Sequence, residues 1–173
     1  MSGGLRVLLS LALLLLCWPE LRRYQAEREL AQAQKALEEV LGNRLPEDQA
    51  VLAVTRAATL ALAARDVLPG DLRPPHSAAI ALLMLRRLPE ASAVLESAIA
   101  HGDRPELSVN LGRVRASQGD MAGAERAWLH SAWAQPRALD TLPAAQREPI
   151  LARLAALETA LREGRHEGLP PPL

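Results

Sequence analysis

Residues 105–136 read PELSVNLGRVRASQGDMAGAERAWLHSAWAQP, with apolar residues at helical spacing on both sides of a central glycine, Gly119. Glycine is favoured between helices because it adopts left-handed backbone angles without steric cost. The pattern therefore predicts two helices, over about 105–118 and 120–134, that fold back on each other near Gly119.

A second copy of this pattern precedes it at a spacing of 33 residues, and predicts helices over about 76–87 and 89–101. Small and apolar residues coincide between the copies: Ala79 with Gly112, Ala91 with Ala124, Leu95 with Trp128, and Ala98 with Ser131. A period in this range is typical of helical repeats, in which each helix pair buries its apolar face by stacking on its neighbours.

Residues 105–136 resemble the tetratricopeptide repeat (TPR) in the Leu111–Gly112 pair, the turn glycine, the small Ala124, the aromatic Trp128 and the closing Pro136. Ser108 and Arg115 depart from the two first-helix aromatics of the family. The preceding unit, about 72–103, has Arg86 where a turn glycine is usual. Its matching residues are Ala79, Leu82, Ala91, Leu95 and Ala98.

The resemblance implies an all-α fold, a short TPR-like α-solenoid of antiparallel helix pairs preceded by an N-terminal hydrophobic helix. The residues expected to pack the repeats together are Ala79, Ala91, Leu95, Leu111, Gly112, Gly119, Ala124, Trp128 and Pro136. Gly112 and Ala124 let the two helices of one unit approach closely, while Trp128 and Leu95 fill the space between successive pairs.

The first helices of successive TPR units line a groove that holds a peptide or a partner helix. By position, the resemblance implies a groove formed by Ile80, Leu83, Met84, Val109, Asn110, Arg113, Ala116 and Ser117. Asn110 matches a family position that often bonds a ligand backbone, and Arg113 and Arg115 are candidates to bind a carboxylate. Alternatively, helix 20–41 covers the apolar part of this groove, which would then belong to the core.

An apolar segment occupies the start of the sequence, where residues 7–18 follow Arg6 and carry no charge. A helix over residues 5–18 would be about 21 Å long, short of the roughly 30 Å of bilayer hydrocarbon, and this length favours a signal peptide. However, no small residues follow the run to allow cleavage. We therefore expect residues 1–19 to be an uncleaved single-pass anchor, with a cleaved, soluble, exported chaperone-like protein as the alternative.

Trp18 and Tyr24 are expected at the lipid headgroups, where amphipathic aromatic rings collect. Cys17 follows Leu16, whereas a lipoprotein needs a small residue there, so Cys17 is expected to be an unmodified apolar residue. The short tail before the leucine run resembles an export signal. This predicts a bacterial inner-membrane protein with a cytoplasmic N-terminus and a periplasmic body.

The positions of the other prolines and glycines predict the remaining segments. Pro19 and Gly42 suggest a helix over about 20–41, and a second helix from Pro46 to Arg65 completes an N-terminal hairpin over 20–65. The Pro- and Gly-rich stretch 66–75 is expected to be a loop, and two TPR-like repeats follow over 76–136. A capping helix near Pro149–Glu163, within segment 137–163, and a disordered tail, 164–173, are expected to complete the chain.

Composition agrees with a helical fold, because the 173 residues include 34 Leu and 32 Ala but no Phe. The 20 basic and 20 acidic residues balance, so the charge pattern of a general nucleic-acid binder is absent. One cysteine excludes an intramolecular disulfide and a cysteine-based zinc cage. Arginine makes up 19 of the 20 basic residues, which is typical of a GC-rich bacterial genome.

No catalytic pattern emerges from the sequence. The four histidines have no paired metal-ligand spacing, and there is neither a phosphate-binding glycine loop nor a Gly-x-Ser-x-Gly motif. We therefore expect no enzyme activity, no cofactor and no metal. The expected function is a membrane-anchored adaptor or scaffold that binds a protein or peptide, with an oligomeric spacer that self-associates through helix 20–41 as the alternative.

Overall fold

The structure is a computed structural model that describes residues 3–165, Pro171 and Leu173, with side chains described from Leu15 onward. The described residues form eight helices and no strand, which confirms the all-α prediction. Seven are α-helices: α1 (Gly3–Leu41), α2 (Glu47–Val67), α3 (Arg73–Met84), α4 (Leu88–His101), α5 (Pro105–Ser117), α6 (Met121–Ala134) and α7 (Ala144–Arg162). A 3-10 helix (Pro136–Thr141) lies between α6 and α7.

The chain divides into two compact units, Met1–Ser77 and Ala78–Leu173. The first is built on an antiparallel hairpin of α1 and α2, in which Ala26 and Leu30 of α1 pack with Ala64 near the end of α2. Alanines dominate the buried face of α2, and their small side chains allow the two helices to lie close together. Apolar residues at helical spacing along α1 are buried at Ala26, Leu30, Ala33 and Leu37, whereas Val40 is half-buried.

The prediction that a helix begins at Pro19 is wrong, because α1 continues through this residue. Proline inside a helix removes one backbone hydrogen bond, here the bond to the carbonyl of Leu15. Every residue from Leu15 to Gln25 is exposed, so the proline ring lies outside any packed interface. The predicted boundary between segments 1–19 and 20–65 therefore falls within one helix.

Among the residues whose side chains are described, no helix is both long and apolar enough to cross a membrane. Most of the predicted anchor, residues 5–18, lies outside that part of the chain.

The predicted loop 66–75 is shorter than expected at both ends. Helix α2 extends to Val67, and α3 begins at Arg73, whose backbone N–H donates to Asp71 Oδ1 at 2.9 Å. Pro74 and Pro75 lie in the first turn of α3, where a missing N–H costs no intrahelical bond. The prolines therefore begin the helix rather than extend the loop.

In the second unit the helix bounds repeat at the predicted spacing. Met84 and Ser117, Leu88 and Met121, and His101 and Ala134 end or begin corresponding helices, each pair 33 residues apart. The turns match as well, because Arg86 (φ 60°) and Gly119 (φ 88°), also 33 residues apart, are both left-handed. An arginine in this region carries a steric cost that glycine does not.

The indole of Trp128 packs directly on the backbone of Gly112, joining α6 to α5. A Cβ at position 112 would lie 2.2 Å from Trp128 Nε1, which is closer than any real contact. The same Nε1 donates a hydrogen bond to the carbonyl of Val109 at 3.2 Å, and Trp128 is only 1% exposed. Glycine at 112 is therefore required for the observed position of the indole.

Trp128 also belongs to the core that joins α5 and α6 to the 3-10 helix and α7. The other buried members of this core are Val109, Ala124, Leu129, Ala132, Leu139, Leu142, Ile150 and Leu154. Within segment 137–163, the side chains of Leu139, Leu142, Ile150 and Leu154 thus pack with α5 and α6. Leu161, near the end of α7, is 38% exposed.

Helix α7 begins at Ala144 rather than near Pro149, which lies inside it. Pro143 is the residue directly before the helix, with φ near −55° and ψ near 145°. The predicted disordered tail, 164–173, lies mostly outside the described residues.

Replacing Trp128 with alanine is expected to lower the free energy of unfolding by about 3–5 kcal/mol, the usual cost of truncating a buried tryptophan. The same truncation at half-buried Trp133 is the matched control and should cost less. Thermal denaturation followed by circular dichroism measures both. An unchanged midpoint for Trp128→Ala would remove Trp128 from the core.

Candidate partner-binding site

The residues predicted to line a groove do not form one exposed surface. Val109 and Asn110 are buried, at 3% and 4% exposure. Met84 is exposed, and the others are half-buried: Ile80, Leu83, Arg113, Ala116 and Ser117. A partner would therefore not reach Val109 or Asn110 directly in this arrangement.

Four of the predicted residues do line a common cavity, which has a volume of about 520 Å³. They are Leu83, Arg113, Ala116 and Ser117. The cavity is completed by Arg86 in the turn after α3, by Met121 and Trp128 of α6, and by Leu142, Pro143 and Gln146. The structure thus brings part of the predicted groove together with a segment that the sequence analysis left irregular.

Arg113 is the half-buried cation of this cavity, and its hydrogen bonds all go to neutral acceptors. Its Nη1 donates to Asn110 Oδ1 at 2.7 Å, while its Nη2 donates to Thr141 Oγ1 at 2.6 Å and to the Thr141 carbonyl at 3.0 Å. Burial lowers the pKa of Arg113, yet a guanidinium stays protonated at neutral pH. Among the described residues, no carboxylate lies within 4 Å of it.

Some other arginines of the body have carboxylate partners. Arg73 pairs with Asp71 and Glu27, and Arg87 pairs with Glu90. Arg115, which the sequence analysis proposed beside Arg113 as a carboxylate binder, is in contact with Glu96 at 3.3 Å. The structure therefore separates the two candidates, because Arg115 pairs with Glu96 whereas Arg113 pairs with no carboxylate of the described residues.

Asn110 positions Arg113 in this arrangement. The resemblance implied that its amide bonds a ligand backbone, but the side chain is buried and its Oδ1 accepts from the arginine one helical turn away. Removing the amide would leave Nη1 without this acceptor in a half-buried position, which is costly for a charged donor.

The sequence did not predict a role for Arg86, which lines the cavity, or for Thr141, which bonds to Arg113. Arg86 was noted only as a departure from the turn glycine of the TPR pattern, and that departure was the available signal. Thr141 gave no signal, since its contact with Arg113 joins residues 28 positions apart through a 3-10 helix that the irregular sequence after Pro136 did not suggest.

Comparisons of this chain with models of known families, with curated proteins and with solved structures find no match.

Proposed function

We propose that this chain is a membrane-anchored, TPR-like, non-catalytic adaptor of the bacterial envelope that holds an acidic segment of a protein partner in the Arg113 cavity. The observation that carries the proposal is the half-buried guanidinium of Arg113, which has neutral hydrogen-bond acceptors but no carboxylate within 4 Å among the described residues. A desolvated charge without a counter-ion is unfavourable, and an incoming carboxylate would relieve this cost.

The rest of the cavity fits an acidic residue that is followed or preceded by an apolar one. Arg86 adds a second positive charge, and Leu83 and Leu142 supply apolar surface beside the two arginines. Arg86 also occupies a backbone conformation that glycine would adopt without strain. Strained residues tend to lie at functional sites, which supports a role for the Arg86 side chain in binding.

The TPR-like repeat is supported by the 33-residue spacing of the helix bounds and by the burial of matching positions in both pairs. Ala79, Ala91 and Leu95 are buried, as are their counterparts Gly112, Ala124 and Trp128. In TPR proteins the corresponding helices bind peptides, so the resemblance favours a peptide segment as the bearer of the carboxylate.

The anchor is supported by the continuity of α1. From Gly3 to Gln25 the helix would be about 35 Å long at 1.5 Å per residue, of which the uncharged run, residues 7–18, accounts for about 18 Å. Large apolar side chains are exposed along its described part, at Leu15, Leu16, Trp18, Leu21 and Tyr24. Insertion in a bilayer would remove such side chains from water.

The oligomeric spacer is less well supported. Its proposed contact surface, the stripe from Ala26 to Leu37, is buried within the chain, with Ala26 and Leu30 packed against α2. Self-association through this stripe would require the hairpin to open.

Arg113→Gln is expected to weaken binding of an acidic peptide at least tenfold, which corresponds to about 1.4 kcal/mol. The probe is a set of short peptides that alternate Glu with Leu, compared with peptides of the same order in which Gln replaces Glu. Binding to the full chain is followed by fluorescence anisotropy at two salt concentrations.

The matched control is Arg87→Gln, because Arg87 is exposed and already paired with Glu90 outside the cavity. It should change the dissociation constant less than about twofold, as expected for a remote surface charge. Equal binding of Glu and Gln peptides, or unchanged binding by Arg113→Gln, would contradict the proposed function.

Arg86→Gly should weaken binding of the same acidic peptide while leaving the fold intact. Glycine adopts the left-handed angle freely, so we expect the free energy of unfolding to stay level or rise by up to about 1 kcal/mol. Chemical denaturation measures the free energy of unfolding, and the anisotropy assay measures the peptide affinity. A variant that loses stability and keeps its affinity would show that Arg86 serves the turn rather than the partner.

The anchor is tested by alkaline extraction of membranes that contain the full chain. We expect the protein to stay in the membrane pellet. Leu9→Arg with Leu13→Arg should release it, because each central arginine costs about 2.5–3.5 kcal/mol on insertion. Leu41→Arg with Leu52→Arg, both on the exposed surface of the hairpin, is the control. Recovery of a soluble product that lacks the first residues would instead support the cleaved chaperone-like protein.

A further inference from the structure

The imidazole of His130, a residue of α6, lies between two hydrogen-bond acceptors. Its Nε2 is 2.5 Å from Asp103 Oδ2, in the connection between α4 and α5. Its Nδ1 is 2.6 Å from the carbonyl oxygen of Pro171, a buried residue 41 positions further along the chain. One histidine thus connects α6 to two separate parts of the second unit.

Both contacts require the imidazole to be charged. A carboxylate and a carbonyl oxygen accept hydrogen bonds, so the two ring nitrogens donate together only in the imidazolium form. In the neutral form, the charged Asp103 retains the proton on Nε2. The lone pair of Nδ1 then faces the lone pairs of the Pro171 carbonyl, and that contact becomes repulsive.

The surroundings favour the charged form. Burial lowers the pKa of His130. The Pro171 carbonyl and the Asp103 carboxylate together raise it by more than burial lowers it, so the net shift is upward. Ser108 Oγ donates to Asp103 Oδ1 at 3.2 Å and holds this carboxylate in place.

Other charged groups near this contact do not bond to the ring. Arg126 lies one turn earlier on α6. Arg104 directly follows Asp103 and precedes α5, and Glu106 lies in the first turn of α5. Among the described residues, including those of α7, Asp103 is the carboxylate within 4 Å of the imidazole.

We propose that Asp103 and His130 form a protonation-dependent clasp, which holds the chain at Pro171 against α6 and releases it when the imidazole loses its proton. The clasp lies apart from the Arg113 cavity in its residues and does not depend on the proposed function. Its role is to make the contact between α6 and Pro171 depend on pH.

The direction of the pH dependence follows from the raised pKa. The contact is fully formed below the ordinary histidine value of 6.5 and is lost as the pH rises through the higher pKa of the folded protein. Above that pKa the protonated fraction falls about tenfold per unit of pH.

The test uses the full chain with Cys17→Ser and Leu173→Cys, so that a nitroxide label two residues after Pro171 reports its mobility by electron paramagnetic resonance. Between about pH 5.5 and about pH 8.5, a range that spans histidine titration, the immobilised component should be lost. His130→Gln should lack that component at both values. The matched control His101→Gln should titrate as the parent does, because His101 contacts Ser97 on its own helix.

Asp103→Asn separates the clasp from a general effect of pH. It removes the charge that stabilises the imidazolium, so the midpoint for loss of the immobilised component should move down toward 6.5. Circular dichroism checks that each variant remains folded. A label that is equally mobile at both pH values in the parent, or a transition that persists in His130→Gln, would overturn the clasp.

Discussion

The contact of the Trp128 indole with the bare backbone of Gly112 is the constraint on which the second unit depends. The absence of a side chain at 112 lets the ring reach the carbonyl of Val109 and satisfy its own N–H inside the core. The outer part of the same core is formed by Leu139, Leu142, Ile150 and Leu154, so the 3-10 helix and α7 pack on a surface that this contact creates. A larger residue at 112 would therefore disturb more than one pair of helices.

The candidate site is a consequence of that packing. Because the 3-10 helix lies on the helix pair, Thr141 comes within hydrogen-bonding distance of Arg113 and holds its guanidinium at the edge of the core. The cation is thereby partly removed from water, and none of the carboxylates that the structure describes pairs with it. The result is a cavity of about 520 Å³ that includes only part of the groove implied by the TPR resemblance, with Arg113 in its lining.

Local patterns were sufficient to predict the helices, their 33-residue spacing and the special residues Gly112, Ala124 and Trp128. Proline positions were misleading, because Pro19 and Pro149 lie inside helices although the residue type usually marks an end. Contacts between distant residues were beyond the sequence: Arg113 with Thr141, and His130 with Pro171. Periodicity determines which face of a helix is apolar, but a polar contact depends on where a later segment returns.

A double-mutant cycle of Gly112→Ala and Trp128→Leu tests the central claim most directly. If the indole occupies the space of a side chain at 112, Gly112→Ala should cost about 1–3 kcal/mol in the parent through overpacking. The same change should cost much less beside a leucine at 128, which gives a coupling energy of about 1 kcal/mol or more. Effects that add to within about 0.5 kcal/mol would mean that the two residues do not touch, and would contradict the account.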